Sequence, residues 1–248
     1  MGKLIELLKP KYMPIAIYRA KNIPDYAETP GEDHCIVGSM LIPAFNGRTI
    51  AAKKEQVGCR GGWNGLGFGG EDPENRNKLM IGYSSGNDER PGRYFFCSPE
   101  TAKKNYQDKV PVYGDGNDAI VFQPMDQAEK MDVPVEVVCF LVNPLELSAL
   151  ITMASFFRDI DDSVIRSSFA LSCEQVYAMA RQEGEKAIPR MVLGTTEFFT
   201  RRFIDEDRMA VSMPYKLYKS LDEDCEYSFL KDDRWREAAK PKKCDKCC

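Results

Sequence analysis

The chain has 248 residues, of which 43% are hydrophobic and 29% are charged. This balance is typical of a folded globular protein and excludes wholesale disorder. The formal net charge of −4 argues against a general binder of the nucleic-acid phosphate backbone. A chain of this length buries enough apolar surface to fold without a disulfide framework or a structural metal.

The apolar segments of the chain indicate where the protein is found. The apolar stretch near the N-terminus is interrupted by Glu6 and ended by Pro10, so it is shorter than the ~7–15 residues of a secretory signal. The apolar runs at residues 137–142 and 147–157 are shorter than a membrane-spanning helix. We therefore expect a cytoplasmic protein whose nine cysteines are reduced.

The first half of the chain is predicted to contain strands and two helices. Thr29 as a cap, followed by proline and glutamate, predicts a helix with apolar residues at helical spacing and an end at Gly47. Ser98 caps a second, polar helix that ends near Tyr106. Short runs rich in β-branched and aromatic residues predict strands at 13–18, 79–83 and 93–97.

The second half repeats this alternation. Asn143, with proline next and Glu146 three positions on, predicts a capped helix through residue 157 that is apolar on nearly every side and therefore buried. Ser172 predicts another capping box and a helix through about Glu183. Further strands are predicted at 119–122, 135–142 and 208–213.

This order of elements predicts the fold class. Because strands and helices interleave, we predict an α+β fold with a mixed sheet and helices packed on it. An α/β fold with a partly parallel sheet is the alternative. Residues 1–230 are predicted to form a single α+β domain, and the polar residues 231–248 are predicted to form a mobile cysteine-rich tail.

A cluster of glycines follows Cys59. Gly65, Gly67 and Gly70 match the G-x-G-x-x-G pattern, but a dinucleotide site needs a buried strand before the pattern and a helix after it. The residues before it are polar, and no apolar helix follows, so we reject a nucleotide fingerprint. Glycines also let backbone amides approach a ligand closely. We predict a loop that binds a small anion or a cofactor edge, or alternatively a flexible surface loop; its candidate ligand-binding residues are Arg60, Gly61, Gly62, Gly65 and Gly67.

Three internal cysteines occupy positions that favour a thiolate, the form that reacts and binds metals. Cys173 lies at the start of a predicted helix, Cys97 directly precedes a helix cap, and Cys59 is next to an arginine. Cys59 and Cys173 are therefore the candidate catalytic residues, and Cys35 and Cys97 are candidate metal ligands. The alternative is that each is structural, as we expect of Cys139 in a buried strand.

The last residues form a second candidate metal site. Cys244, Cys247 and Cys248 offer Cys-x-x-Cys spacing with a third sulfur adjacent, which suits zinc or an iron–sulfur cluster. A fourth ligand would have to come from Cys225, Asp245 or another chain. The alternative is a disordered tail that oxidises readily.

These features, in this order, resemble the ArCR family of prokaryotes (domain of unknown function 169) over about residues 10–222. The resemblance implies a bacterial or archaeal cytoplasmic protein and no assigned activity. It is carried by Cys35, the glycine cluster at 59–67, the segment 138–146, Cys173 and the segment 208–214.

Three functions remain open at this point. The first is a thiol-dependent redox protein, or one associated with a metal or iron–sulfur cluster, with a cysteine-lined pocket closed by the glycine loop. The second is a non-catalytic module that binds a small anion or a cofactor. The third is a metal-handling protein that acts through its C-terminal cysteines. A small molecule is the expected partner in the first two, and neither nucleic acid nor membrane is expected in any.

Overall fold

The computed structural model describes residues 1–31, 35–69, 73–86, 91–106, 112–113, 117–158 and 163–240. These residues include a seven-stranded sheet. Its strands are β1 (Ile15–Ala20), β2 (Ile50–Ala52), β3 (Ala119–Pro124), β4 (Val137–Val142), β5 (Ile165–Arg166), β6 (Met191–Gly194) and β7 (Met209–Pro214). The strand order is β2-β3-β1-β4-β7-β6-β5, antiparallel except for the parallel pair β5 and β6. The predicted α+β fold with a mixed sheet is confirmed.

Helices pack on both faces of this sheet. Two π-helices, Val37–Leu41 and Glu174–Ala178, run directly into the α-helices that begin at Ile42 and Met179. There are also 3-10 turns at Lys54–Gln56, Phe198–Phe203, Cys225–Tyr227 and Phe229–Lys231. The α-helices are α1 (Lys3–Leu8), α2 (Ile42–Phe45), α3 (Arg60–Gly65), α4 (Pro73–Ser85), α5 (Pro99–Tyr106), α6 (Met125–Met131), α7 (Pro144–Ser155), α8 (Met179–Glu183), α9 (Tyr215–Asp224) and α10 (Asp233–Ala238).

The alternation of side chains along the strands divides the core in two. Ile15 and Ile17 of β1 point to the face covered by the two π-helices, which we call the π-helix face. Ala16 and Tyr18 point to the opposite face, which is covered by α1, α7 and α9 and is called the α-helix face. The central strand β4 alternates in the same way, with Cys139 on the π-helix face.

Four of the six predicted strands are confirmed as β1, β3, β4 and β7. The strand predicted at 79–83 is wrong because these residues lie within α4, where Met80 and Ser84, one helical turn apart, are both buried. The strand predicted at 93–97 is also wrong. Tyr94 has a positive φ of 55°, which interrupts an extended backbone, and Phe95 packs against aromatic rings instead of pairing with a strand.

The predicted caps have mixed outcomes. Asn143 and Glu146 form the predicted capping box of α7, with hydrogen bonds of 2.9 and 2.8 Å. The Ser98 hydroxyl accepts from the Thr101 amide at 3.2 Å and caps α5. The cap predicted at Ser172 is wrong, because its hydroxyl instead shares a hydrogen bond of 2.7 Å with Thr200. The start predicted at Thr29 is wrong as well, since residues 29–31 are irregular. The apolar part of that predicted helix is confirmed, because Val37–Leu41 and Ile42–Phe45 are helical and end just before Gly47.

The packed structure continues past the boundary predicted at residue 230. Helix α10 places Trp235 in the core of the α-helix face. The Trp235 ring nitrogen donates to the Leu7 carbonyl at 3.3 Å. The cysteines of the predicted tail, at 244, 247 and 248, lie outside the described residues. In the part of the chain that is described, no helix has the length and hydropathy needed to cross a membrane.

Candidate functional site

The π-helix face contains a cavity of about 790 Å³. Its walls come from the residues just before and at the start of each π-helix, from α3 and α4, and from the 3-10 turn Phe198–Phe203. This volume lies within the range of about 300–1,000 Å³ that is typical of small-molecule sites. The cavity is therefore the candidate functional site.

Three cysteines that are far apart in the sequence line this cavity. They are Cys35, Cys59 and Cys173. Cys173 is buried, whereas Cys35 and Cys59 are half-buried. Cys97 is exposed and Cys139 is buried, and neither is among the lining residues. The structure thus brings together both candidate catalytic cysteines and one of the candidate metal ligands.

Cys59 is held in place by the first turn of α3. It is the N-cap of this helix, and its Sγ accepts a hydrogen bond from the Gly62 amide at 3.1 Å. The Trp63 ring nitrogen donates to the Val57 carbonyl at 2.8 Å and fixes the segment that leads into the helix. A thiol in the N-cap position satisfies one of the unpaired amides at the start of the helix.

The predicted glycine loop is in fact a short helix and a tight turn. A Cβ at Gly65 would lie 2.6 Å from both the Cys173 carbonyl carbon and the Glu174 amide, so glycine lets α3 approach the second π-helix closely. A Cβ at Gly62 would lie 2.8 Å from the side chains of Ile36 and Val57, so this position also has no room for a larger residue.

Among the predicted ligand-binding residues, Gly61 lines the cavity. Gly62, Gly65 and Gly67 contact protein side chains or backbone, and Gly67, with φ of 67°, lies against Tyr113. Arg60 begins α3, and its side chain is outside the described part of the structure.

The Gly61–Gly62 peptide lies between two of the thiols. The Cys173 thiol donates to the Gly61 carbonyl at 3.2 Å, while the Gly62 amide donates to Cys59 Sγ. The carbonyl and amide of a trans peptide point in opposite directions, so the two sulfurs lie at opposite ends of this peptide group. This arrangement does not favour a disulfide, whose sulfurs are about 2.05 Å apart.

The direction of the thiol pKa shifts is opposite to the one that the sequence suggested. Burial raises the pKa of Cys59, and this outweighs the lowering by the amides of Gly62 and Ile36. Burial also raises the pKa of Cys173 well above its usual value, and the neighbouring Cys59 adds to the shift. Both thiols are therefore protonated at neutral pH.

Glu197 lines the same cavity, although no pattern in the sequence marks it as a site residue. Its side chain is almost fully buried, and one carboxylate oxygen accepts from the Ser172 amide at 3.3 Å. Burial raises the pKa of this carboxyl group. Glu197 belongs to no local motif, and only the contact between the 3-10 turn and the π-helix region brings it to the cysteines.

Two arginines also line the cavity and are exposed to solvent. The guanidinium of Arg93 lies over the Phe199 ring, with its central carbon 4.6 Å from the ring centroid. The guanidinium of Arg202 lies over the Phe203 ring at 4.7 Å. Because their side chains are exposed, these arginines mark the open side of the cavity.

The described residues contain no group of three or more histidine, cysteine, aspartate or glutamate side chains placed to hold a metal ion. Cys35 and Cys97 are separated, one in the cavity and the other on the surface. Cys225, considered above as a fourth ligand for the tail, is buried and donates to the Asp222 carbonyl at 3.1 Å.

Comparison with known proteins gives a family but no activity. The family model of the uncharacterised ArCR proteins (DUF169) matches residues 3–224, a span that includes every residue lining the cavity. The resemblance noted in the sequence is therefore confirmed. No curated protein and no solved structure matches the chain.

Proposed function

Because the chain belongs to the uncharacterised ArCR family (DUF169), we propose its function from the cavity itself. The protein is thiol-dependent: it binds a small molecule in this cavity and reacts with the molecule through Cys59. The observation that carries this proposal is the meeting of Cys35, Cys59 and Cys173 on one cavity of small-molecule size. The proposal includes a cytoplasmic location, where thiols stay reduced.

Cys59 is the best nucleophile of the three. Its sulfur accepts a hydrogen bond from the Gly62 amide at 3.1 Å, and the amides of Gly62 and Ile36 offset part of the rise in its pKa that burial causes. These amides stabilise a thiolate as it forms. Cys173 is more deeply buried, and its thiol proton is already donated to the Gly61 carbonyl.

Cys173 acts on Cys59 through the peptide between them. Donation by the Cys173 thiol polarises the Gly61–Gly62 peptide and strengthens the hydrogen bond from Gly62 to Cys59. In the reaction, the Cys59 sulfur forms a bond to an electrophilic carbon or sulfur of the ligand. The electron pair of the broken bond stays on the ligand side, and the thiol proton passes to water in the open cavity. Cys173 is thus a positioning residue, and Cys59 is the catalytic candidate.

Residue-resolved labelling with N-ethylmaleimide, read by peptide mass spectrometry, tests this assignment. In the folded protein we expect Cys59 to be labelled increasingly as the pH rises to about 9 and Cys173 to stay unlabelled. The exposed Cys97 is the internal reference. Cys173→Ala removes the donor to the Gly61 carbonyl and should shift the labelling of Cys59 to higher pH, whereas Cys97→Ser should leave it unchanged. A Cys59 that is labelled only when the protein unfolds would exclude the proposed role.

A second candidate function is a binding module without thiol chemistry. Arg93 and Arg202 on the open side of the cavity favour it, because they offer positive charge to an anion. The variant Cys59→Ser separates the two, since it abolishes thiol chemistry and leaves anion binding intact. The metal-handling function rests on Cys244, Cys247 and Cys248, which lie outside the described residues, and it stays a prediction.

A further inference from the structure

Most of the other arginines in the described part of the chain form an ion pair with a described carboxylate, whereas the two arginines of the cavity form none. Arg208, Arg181 and Arg190 each bond to a glutamate at 2.9–3.2 Å. Arg93 and Arg202 form no ion pair with any described carboxylate and lie instead on aromatic rings. Arg93 also bonds to the Tyr83 side chain, and its charge offsets part of the rise in the pKa of Glu197 that burial causes. Stacking on a ring fixes the plane of a guanidinium, and its remaining N–H groups can bind a planar anion such as a carboxylate.

The lining of the cavity that holds the arginines and the thiols is mostly apolar. Met80, Leu171 and Phe203 contribute to it, together with residues at the start of the first π-helix. A cavity of about 790 Å³ is much larger than a carboxylate group alone requires. The ligand that matches this lining therefore carries an apolar body as well as an anionic end.

Glu197 restricts where a negative charge can lie. It is almost fully buried in the wall of the cavity, and among the described residues it is the one carboxylate that lines it. When ionised, it repels a second anion placed beside it in a low-dielectric region. The anionic end of a ligand is therefore directed to the arginines and away from the thiols.

We propose that the cavity takes a small organic monocarboxylate with an apolar body, held by Arg93 and Arg202 at its carboxylate and directed towards Cys59 at its other end. This inference rests on the proposed function for the reaction at Cys59, while the carboxylate site itself needs no thiol. The inference names a substrate class for this cavity, whereas the description of the family gives no substrate.

A matched pair of probes tests the charge preference. Maleimidohexanoic acid and its primary amide have the same reactive ring and the same apolar chain, and they differ only in charge. The Cys59 sulfur adds to the maleimide double bond, and the thiol proton ends on the adjacent ring carbon, so nothing leaves. The measured quantity is the acid-to-amide ratio of rate constants at Cys59, divided by the same ratio at the exposed Cys97 in the same full-length chain.

We expect this normalised ratio to be about threefold to tenfold at low salt and to fall as salt screens the charges. Arg93→Gln and Arg202→Gln should each lower it towards unity. Arg236→Gln is the control, because Arg236 lies exposed on α10, away from the cavity lining. A ratio near one in the native protein, or one that the cavity variants leave unchanged, would overturn the proposal.

A second measurement separates this inference from the proposed function. Binding of octanoate and of octanamide to Cys59→Ser protein, measured by calorimetry, involves no thiol reaction. If octanoate binds more tightly than octanamide and Arg93→Gln removes this difference, the carboxylate site is supported. This result stands even if Cys59 proves unreactive in the wild-type chain. Failure of octanoate to bind more tightly than octanamide rejects the carboxylate site, whatever the reactivity of Cys59.

Discussion

The two faces of the sheet are built in different ways. On the α-helix face, α7 begins with a capping box, and Glu146 of that helix also pairs with the buried Arg208 at 2.9 Å. On the π-helix face, the two π-helices and the glycine-rich α3 meet at the cavity. Helices of regular α-helical geometry cover the first face, and α7 among them has its own capping box. Helices of irregular geometry, held by contacts between distant segments, surround an opening on the second, and π-helical turns are frequent at functional sites.

The largest effect that tests this comparison lies on the α-helix face. Glu146→Ala removes the partner of the buried Arg208 and one half of the capping box. The charge of Arg208 is then left with only the exposed carboxylates of Asp205 and Asp207, at 3.9 and 4.0 Å. Because a buried charge that loses its close partner is strongly destabilising, we expect a loss of about 3 kcal/mol in the free energy of unfolding.

Urea denaturation followed by circular dichroism measures this loss. The control is Glu237→Ala, which breaks the exposed pair between Glu237 and Lys240 and should change the stability by less than about 1 kcal/mol. Equal effects of the two variants would mean that the pair at Arg208 does not stabilise the α-helix face.

The next effect lies on the π-helix face. Gly65→Ala places a methyl group 2.6 Å from the backbone at Cys173 and Glu174, so α3 must move away from the second π-helix. We expect a loss of about 1–3 kcal/mol together with faster alkylation of Cys173, because its cover is displaced. Gly31→Ala is the matched control, since a Cβ there meets nothing within 4 Å. Unchanged stability and unchanged labelling of Cys173 would show that close approach at Gly65 is not required.

The smallest effect concerns the buried acid of the cavity. Burial raises the pKa of Glu197 above its ordinary value of 4.5, so the folded protein holds this proton more tightly than the unfolded chain does. The carboxyl group therefore favours folding at pH values below that ordinary value and costs stability as the pH rises through the raised pKa.

Glu197→Gln keeps an oxygen that accepts from the Ser172 amide and removes the charge. We expect it to raise the midpoint of thermal unfolding at pH 7.5 by about 2–4 °C, with the gain disappearing towards pH 4. The exposed Glu206→Gln serves as the control. A variant that is less stable than the wild type at pH 7.5 would contradict the predicted sign.

The contrast between the faces also explains how much could be predicted from the sequence. The cap of α7 and the apolar, β-branched run of β4 are local patterns, and both elements were predicted correctly. Strands as short as β2 and β5, with three and two residues, have no such pattern. Ser172 has the local pattern of a cap, but its hydroxyl bonds to Thr200 in a distant turn. Non-local contacts of this kind override local signals on the π-helix face.

The candidate site depends on the same non-local contacts. The sequence singled out Cys35, Cys59 and Cys173 as individual thiols, but their spacing does not determine that they line one cavity. It also gave no reason to consider Glu197, because an isolated glutamate beside aromatic residues matches many surface segments. The glycines were recognised as unusual, but the reason for Gly65 is the proximity of another helix and not a ligand.

The proposed function requires that Cys59 is the reactive thiol and that the cavity is open to small molecules. A crystal structure of the protein after reaction with N-ethylmaleimide tests this most directly. The proposed function predicts a succinimide covalently attached to Cys59 Sγ and lying inside the cavity near Leu171. Cys173 should be unmodified, with its thiol still hydrogen-bonded to the Gly61 carbonyl. A modified Cys173 beside a free Cys59, or a cavity closed by side chains, would contradict it.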